Sequence, residues 1–190
     1  IGLSFFASIF GSSYVVLLPI FAEDLLKVGS TGFGFMEGAA GVGAIIGTYA
    51  VLHYGVGTMP GRLMFGSAMS FGVIIAVFAT TRSLEMALIL LLLGGLVEEI
   101  FLLIGMTVLQ LAVPDELRGR VMGIWTMTYF VSSVGGFVAG ITAELVGVRV
   151  TIAAGALMVS AFALAAYFAA EKVRNLRGDL LSEKAVDWNG

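Results

Sequence analysis

Residues 84–113 read LEMALILLLLGGLVEEIFLLIGMTVLQLAV, and this stretch decides the fold. From Met86 to Pro114 its only charges are the adjacent Glu98 and Glu99, and Ala87 to Leu93 is apolar on every side. At 1.5 Å per residue, a helix of this length crosses about 30 Å of hydrocarbon. Lipid admits only helices and closed barrels, because every backbone N–H and C=O must find its partner within the structure. Barrel strands would alternate apolar and polar over about ten residues, and this run does not. It is a transmembrane helix with an acidic pair about halfway along it.

Working outward, the same pattern recurs. The 190 residues are 59% hydrophobic and 12% charged, with a mean hydropathy of +1.04, against roughly 45–50% apolar and 25% charged in soluble domains. Runs almost free of charge predict spans over about 1–22, 33–54, 62–81, 84–113, 119–146 and 149–170, followed by a polar tail over 171–190. The fold class is therefore an all-α membrane protein, a six-transmembrane-helix bundle. Ile1 stands inside an apolar run with no initiator Met, basic n-region or Ala-x-Ala-like cleavage site. The expectation is a piece of a longer chain rather than a signal peptide.

Other classes fall away on the same evidence. The formal charge of −3 offers no basic field for nucleic acid. No cysteine is present and no metal-ligand spacing occurs, so neither a metal nor another cofactor is expected. The chain lacks a phosphate loop ending in Lys-Ser or Lys-Thr, a Gly-x-Ser-x-Gly elbow and a His-Glu-x-x-His helix, and it has a single histidine. The expectation is that it is not an enzyme.

Lys and Arg cluster on the cytoplasmic side of membrane helices. Alternate connections and the tail hold Arg62, Arg118, Arg120, Lys172, Arg174, Arg177 and Lys184, and the opposite set holds Lys27, Arg82 and Arg149. Both ends of the segment are accordingly expected in the cytoplasm, in a cell (inner) membrane. Small residues fall at helix-packing spacing in Gly34-x-x-x-Gly38, Gly43-x-x-x-Gly47 and Gly136-x-x-x-Gly140, with Ser4, Ser8 and Ser12 repeating similarly. These read as packing seams. Pro19 predicts a kink near the far end of the first helix.

Glu98 and Glu99 are the candidates for chemistry. A charged residue at a helix centre costs about 2.5 to 3.5 kcal/mol to insert, so such residues face the bundle interior or a wet cavity and mark ion or proton pathways. Adjacent helical positions point about 100° apart, so at most one of the two can aim squarely into a cavity. Two readings stay open at this stage: proton exchange by at least one glutamate, or hydrogen-bonded structural carboxyls. Glu37, Glu144 and His53 near helix ends read as interfacial. Tyr14, Trp125 and Tyr129 are candidates to line a pocket for an amphipathic or lipophilic small molecule.

Between the fourth and fifth spans lies Val113-Pro114-Asp115-Glu116-Leu117-Arg118-Gly119-Arg120-Val121-Met122-Gly123. Asp115 is predicted to cap the next helix, with Glu116 complementing its positive end. Arg118 and Arg120 would hold the loop at an anionic membrane face. Residues Pro114 to Met122 closely match the run joining the tenth and eleventh helices of the major facilitator superfamily, in its drug, macrolide and siderophore exporter-like branch. Gly135-Gly136, Gly140 and Ala143-Glu144-Leu145-Val146-Gly147 resemble that branch's eleventh helix and its exit. Between the second and third helices the superfamily often carries a Gly-x-x-x-Asp-Arg-x-Gly-Arg-like motif, where this sequence has only His53-Tyr54-Gly55 and Gly61-Arg62.

The resemblance implies half of a twelve-helix major facilitator fold, the C-terminal six helices, partnered by an N-terminal six-helix half that this sequence does not contain. It implies alternating access, proton-coupled efflux of a small molecule, and a gating role for Asp115, Glu116, Arg118, Gly119 and Arg120. A complete six-helix protein acting as a homodimeric carrier, or a non-transporting membrane scaffold, are the competing readings.

Overall fold

In a computed structural model, residues 2–11, 13–55 and 59–174 are described. They form six helices long and apolar enough to cross a membrane: α1 (Gly2–Leu25), α2 (Gly29–Tyr54), α3 (Pro60–Thr80), α4 (Leu84–Ala112), α5 (Asp115–Val146) and α6 (Val148–Ala169). A short α7 (Glu171–Arg174) follows, tied by an Arg174–Glu171 ion pair at 3.6 Å and by Arg174 lying 5.1 Å from the Tyr167 ring. Residues 175–190, most of the expected polar tail, lie outside the described residues, as do Arg177 and Lys184.

Local chemistry sets the turns. Pro19 lacks the N–H that would close a helical bond, and two residues later α1 widens into a π-helical turn over Phe21–Leu25. A second π-helical turn occupies Ala7–Gly11. Lys27 takes a left-handed φ of 57° and Gly29 one of 62°, while the Leu26 N–H bonds to the Phe21 carbonyl at 3.0 Å and the Val28 N–H to that of Ala22 at 3.0 Å. Pro60 sits in the first turn of α3, where its missing N–H costs nothing. The α5–α6 connection is Gly147 alone at φ 90°, a conformation that favours glycine. Asp115 is a correction to the predicted cap: Pro114 holds the N-cap position with no side-chain cap bond, and Asp115 is already the first helical residue.

The helices pack most closely as α2 on α4, α4 on α3 and α3 on α6, with α1 and α5 against each other and against α6. Without a hydrophobic drive between helices in lipid, close backbone approach through small residues supplies the association. At the α2–α4 crossing a Cβ on Gly43 would run into the Leu92 carbonyl, one on Gly47 would stand 2.6 Å from the Leu96 carbonyl oxygen, and one on Gly95 would meet the Ala40 carbonyl. Gly72 lies equally close to Ala156 and Ser160, and there the Ser160 hydroxyl donates to the Met69 carbonyl at 2.8 Å. On α5 the approach to α1 is made by Gly135 against the Ile9 carbonyl and Gly136 against Val16. Gly140, Gly34 and Gly38 face open space, with nothing within 4 Å of an added Cβ.

Phe21, Met36, Ile75, Phe78, Leu91, Ile152 and Val159 form the shared core. Outside it Ile45, Leu52, Phe130 and Phe137 stand 71–78% exposed. A belt of that kind fits hydrocarbon rather than water. The chain is an integral membrane protein.

Candidate functional site

The acidic pair is divided by the rotation of α4. Glu98 lines a cavity of about 110 Å³, bounded by Ser4, Ala7 and Ser8 of α1, Ala68 and Phe71 of α3, Phe101 and Leu102 of α4, Thr128 and Ser132 of α5, and Val159 of α6. Glu99 turns toward α2, its Cβ 3.2 Å from the position a Cβ on Gly47 would take. The 100° between neighbours thus becomes a difference in surroundings.

Across the bundle the Tyr14 hydroxyl donates to Glu98 Oε2 at 3.1 Å. Tyr14 itself is buried, its ring edge-on to Phe71 with centroids 5.9 Å apart. Phe71 therefore backs the tyrosine on one side and lines the cavity on the other. The carboxylate is held by a neutral donor, and among the described residues no cation pairs with it. Such a group can exchange a proton or meet a polar group of a guest without first breaking an ion pair. The remaining wall mixes four hydroxyls with aromatic and aliphatic surface, which suits a molecule with both characters. At this volume the space holds several waters.

Sequence reasoning named Tyr14 and Glu98 separately; the structure brings them together over 84 positions. The Tyr129 side chain lies outside the described residues, and so does that of Asp115. Trp125 is buried, its ring 3.2 Å from where a Cβ on Gly105 would stand. Glu116, Gly119 and Arg120 are exposed and Arg118 half-buried at the start of α5; none of them lines the cavity. Glu37 and Glu144 are exposed near helix ends, and exposed His53 stacks on Tyr49 at 5.7 Å. Among the described residues no group of three or more His, Cys, Asp or Glu is placed to hold a metal.

Ser4, Ser8, Thr128 and Ser132 were missed as cavity residues. Ser4 and Ser8, like Thr128 and Ser132, are spaced i, i+4, so each pair sets two hydroxyls on one face of an otherwise apolar helix. That spacing was the available signal.

Comparison with known proteins extends this picture. The enterobactin exporter EntS of Shigella flexneri is 28% identical over 115 residues, covering 60% of this chain and 28% of that protein. EntS of Escherichia coli O81 (strain ED1a) is 29% identical over 115 residues, 60% of this chain and 27% of its own length. The match thus spans little more than a quarter of the length of these relatives. No solved structure matches the chain. The model of a major facilitator family described as transmembrane secretion effector matches residues 2–187. With six membrane-crossing helices and a match over almost its whole length, this chain belongs to the transmembrane secretion effector family of the major facilitator superfamily.

Proposed function

We propose that this chain is one wall of a secondary active carrier that moves a small amphipathic or lipophilic molecule out of the cell by alternating access, with protonation of Glu98 exchanged against the guest. The observation that carries the reading is the Glu98 carboxylate, bonded to Tyr14 at 3.1 Å and exposed to a cavity bordered by five of the six helices. An acid that costs several kcal/mol to insert is retained where function needs it. Carriers of this superfamily bind their guests near the midplane between two six-helix halves. The opposite wall in this reading is an N-terminal six-helix half. Membership of a secretion family and likeness to named exporters support the outward direction.

In this reading both ends of the segment face the cytoplasm, because alternate connections and the tail carry Arg62, Arg118, Arg120, Lys172 and Arg174 in sequence, against Lys27, Arg82 and Arg149 in the opposite set. The charged entry to α5, Asp115 to Arg120, then lies at the cytoplasmic face. There it contacts the other half during rocking and acts as the gate.

The test uses full-length protein in proteoliposomes carrying an imposed pH gradient. Glu98→Gln is expected to abolish gradient-driven movement of a lipophilic dye, while dye binding persists. Gradient-driven movement at the wild-type rate would remove the coupling role.

A further inference from the structure

Away from Glu98, the ends of α3 and α6 opposite Gly2 and Glu171 border an open surface cleft of about 290 Å³ lined by Ala79, Thr80, Arg82, Arg149, Val150 and Ala153. Two guanidinium groups and no carboxylate border it. Arg149 is held rigidly: its Nη1 donates to the carbonyls of Ala79 at 2.8 Å and Thr81, and its guanidinium lies 5.1 Å from the Phe21 ring centroid. Both bonds come from Nη1, so the rest of a five-donor fork stays on offer. Arg82 is exposed and makes no hydrogen bond or ion pair among the described residues. The acids at this end, Glu23, Asp24, Glu37, Glu85 and Glu144, are exposed, and none pairs with either arginine among the described residues. The free N–H groups in the first turn of α6 add to the positive potential.

Beside this cleft runs a cavity of about 130 Å³ between α1, α5 and α6, largely apolar, whose wall includes Ile9, Val138, Ala154 and Met158. Val150 borders both and is 56% exposed. A cationic cleft thus adjoins an apolar cavity at the end of membrane-crossing helices, the level of lipid headgroups. This is complementary to an anion that carries a hydrocarbon chain, and a small hydrophilic anion would leave the apolar part unused.

We propose that this is a binding site for an anionic phospholipid, with the phosphodiester between Arg82 and Arg149 and an acyl chain passing Val150 and Ala154 toward Met158. Occupancy would tie α3, α6 and α5 together at one end of the bundle.

Native mass spectrometry of the purified full-length protein, titrated with dioleoyl phosphatidylglycerol or dioleoyl phosphatidylcholine, tests this. Wild type is expected to retain phosphatidylglycerol preferentially. Arg82→Ala should weaken that retention about fivefold and Arg82→Glu about thirtyfold, with phosphatidylcholine unaffected. Val150→Trp, which fills the junction without altering charge, should weaken it too, and keeps the test decisive if Arg82→Glu aggregates. Equal retention by wild type, Arg82→Glu and Val150→Trp would overturn the proposal. Glycerol 1-phosphate in large excess should fail to displace the lipid. Displacement by it would identify a soluble phosphate as the ligand and overturn the lipid assignment.

Discussion

At the scale of single residues, one hydrogen bond separates two neighbouring acids. Glu98 meets Tyr14 and the cavity, and Glu99 meets the α2 backbone near Gly47. Glu98→Gln and Glu99→Gln remove the same charge in different surroundings. Transport in proteoliposomes should be lost with Glu98→Gln and retained to a large degree with Glu99→Gln, and the reverse order would assign the coupling role to Glu99. Tyr14→Phe keeps the ring against Phe71 and deletes only the donor. Polar bonds between membrane helices average about 0.6 kcal/mol, so thermal unfolding in detergent should shift little. The pH dependence of transport should move, because the carboxylate loses the donor that stabilises its charged form. An unchanged pH profile would mean that Tyr14 only packs. The acidic pair was legible in the sequence because charge inside an apolar run is conspicuous. Its partner was not, since Tyr14 lies 84 positions away and nothing local announces the contact.

At the scale of helices, small-residue spacing marked candidate seams without choosing among them. Gly43 and Gly47 lie against the Leu92 and Leu96 carbonyls, while Gly140, at the same spacing from Gly136, faces open space. Spacing records which residues share a helix face; whether another helix covers that face depends on how both are rotated. Gly95→Val should therefore cost about 1–3 kcal/mol through overpacking against Ala40. Gly140→Val should be close to neutral, and thermal unfolding of the two variants side by side checks the difference. The C-terminus of α3 offers a second case. Arg149 reaches from the start of α6 to the Ala79 and Thr81 carbonyls and over Phe21. Arg149→Lys keeps the charge and loses the planar fork, and should lower stability by about 1–3 kcal/mol. The π-helical turns of α1 were invisible beforehand, apart from the interruption that Pro19 announced.

At the scale of the molecule, six apolar helices with short turns define a bundle whose connections alternate between two faces. These 190 residues hold no cysteine, so one introduced here is the single thiol of the segment and reports its sidedness by comparison with the unmutated protein. In right-side-out cells, Lys27→Cys should react with a membrane-impermeant maleimide and Arg120→Cys should not; the opposite pattern would invert the proposed orientation. By itself the sequence determined that these 190 residues lie in a membrane, cross it as six helices, and carry an acid at the centre of the fourth. Hydropathy, run length and charge are properties of consecutive residues, and lipid leaves the backbone almost no alternative to a helix. Only the tertiary structure decided that Glu98 rather than Glu99 borders the cavity, that Ser4, Ser8, Thr128 and Ser132 share its wall, and that Gly135 rather than Gly140 meets α1. Each of these depends on the rotation of a helix about its own axis. A uniformly apolar helix sets no such rotation; contacts with neighbours distant in the chain do.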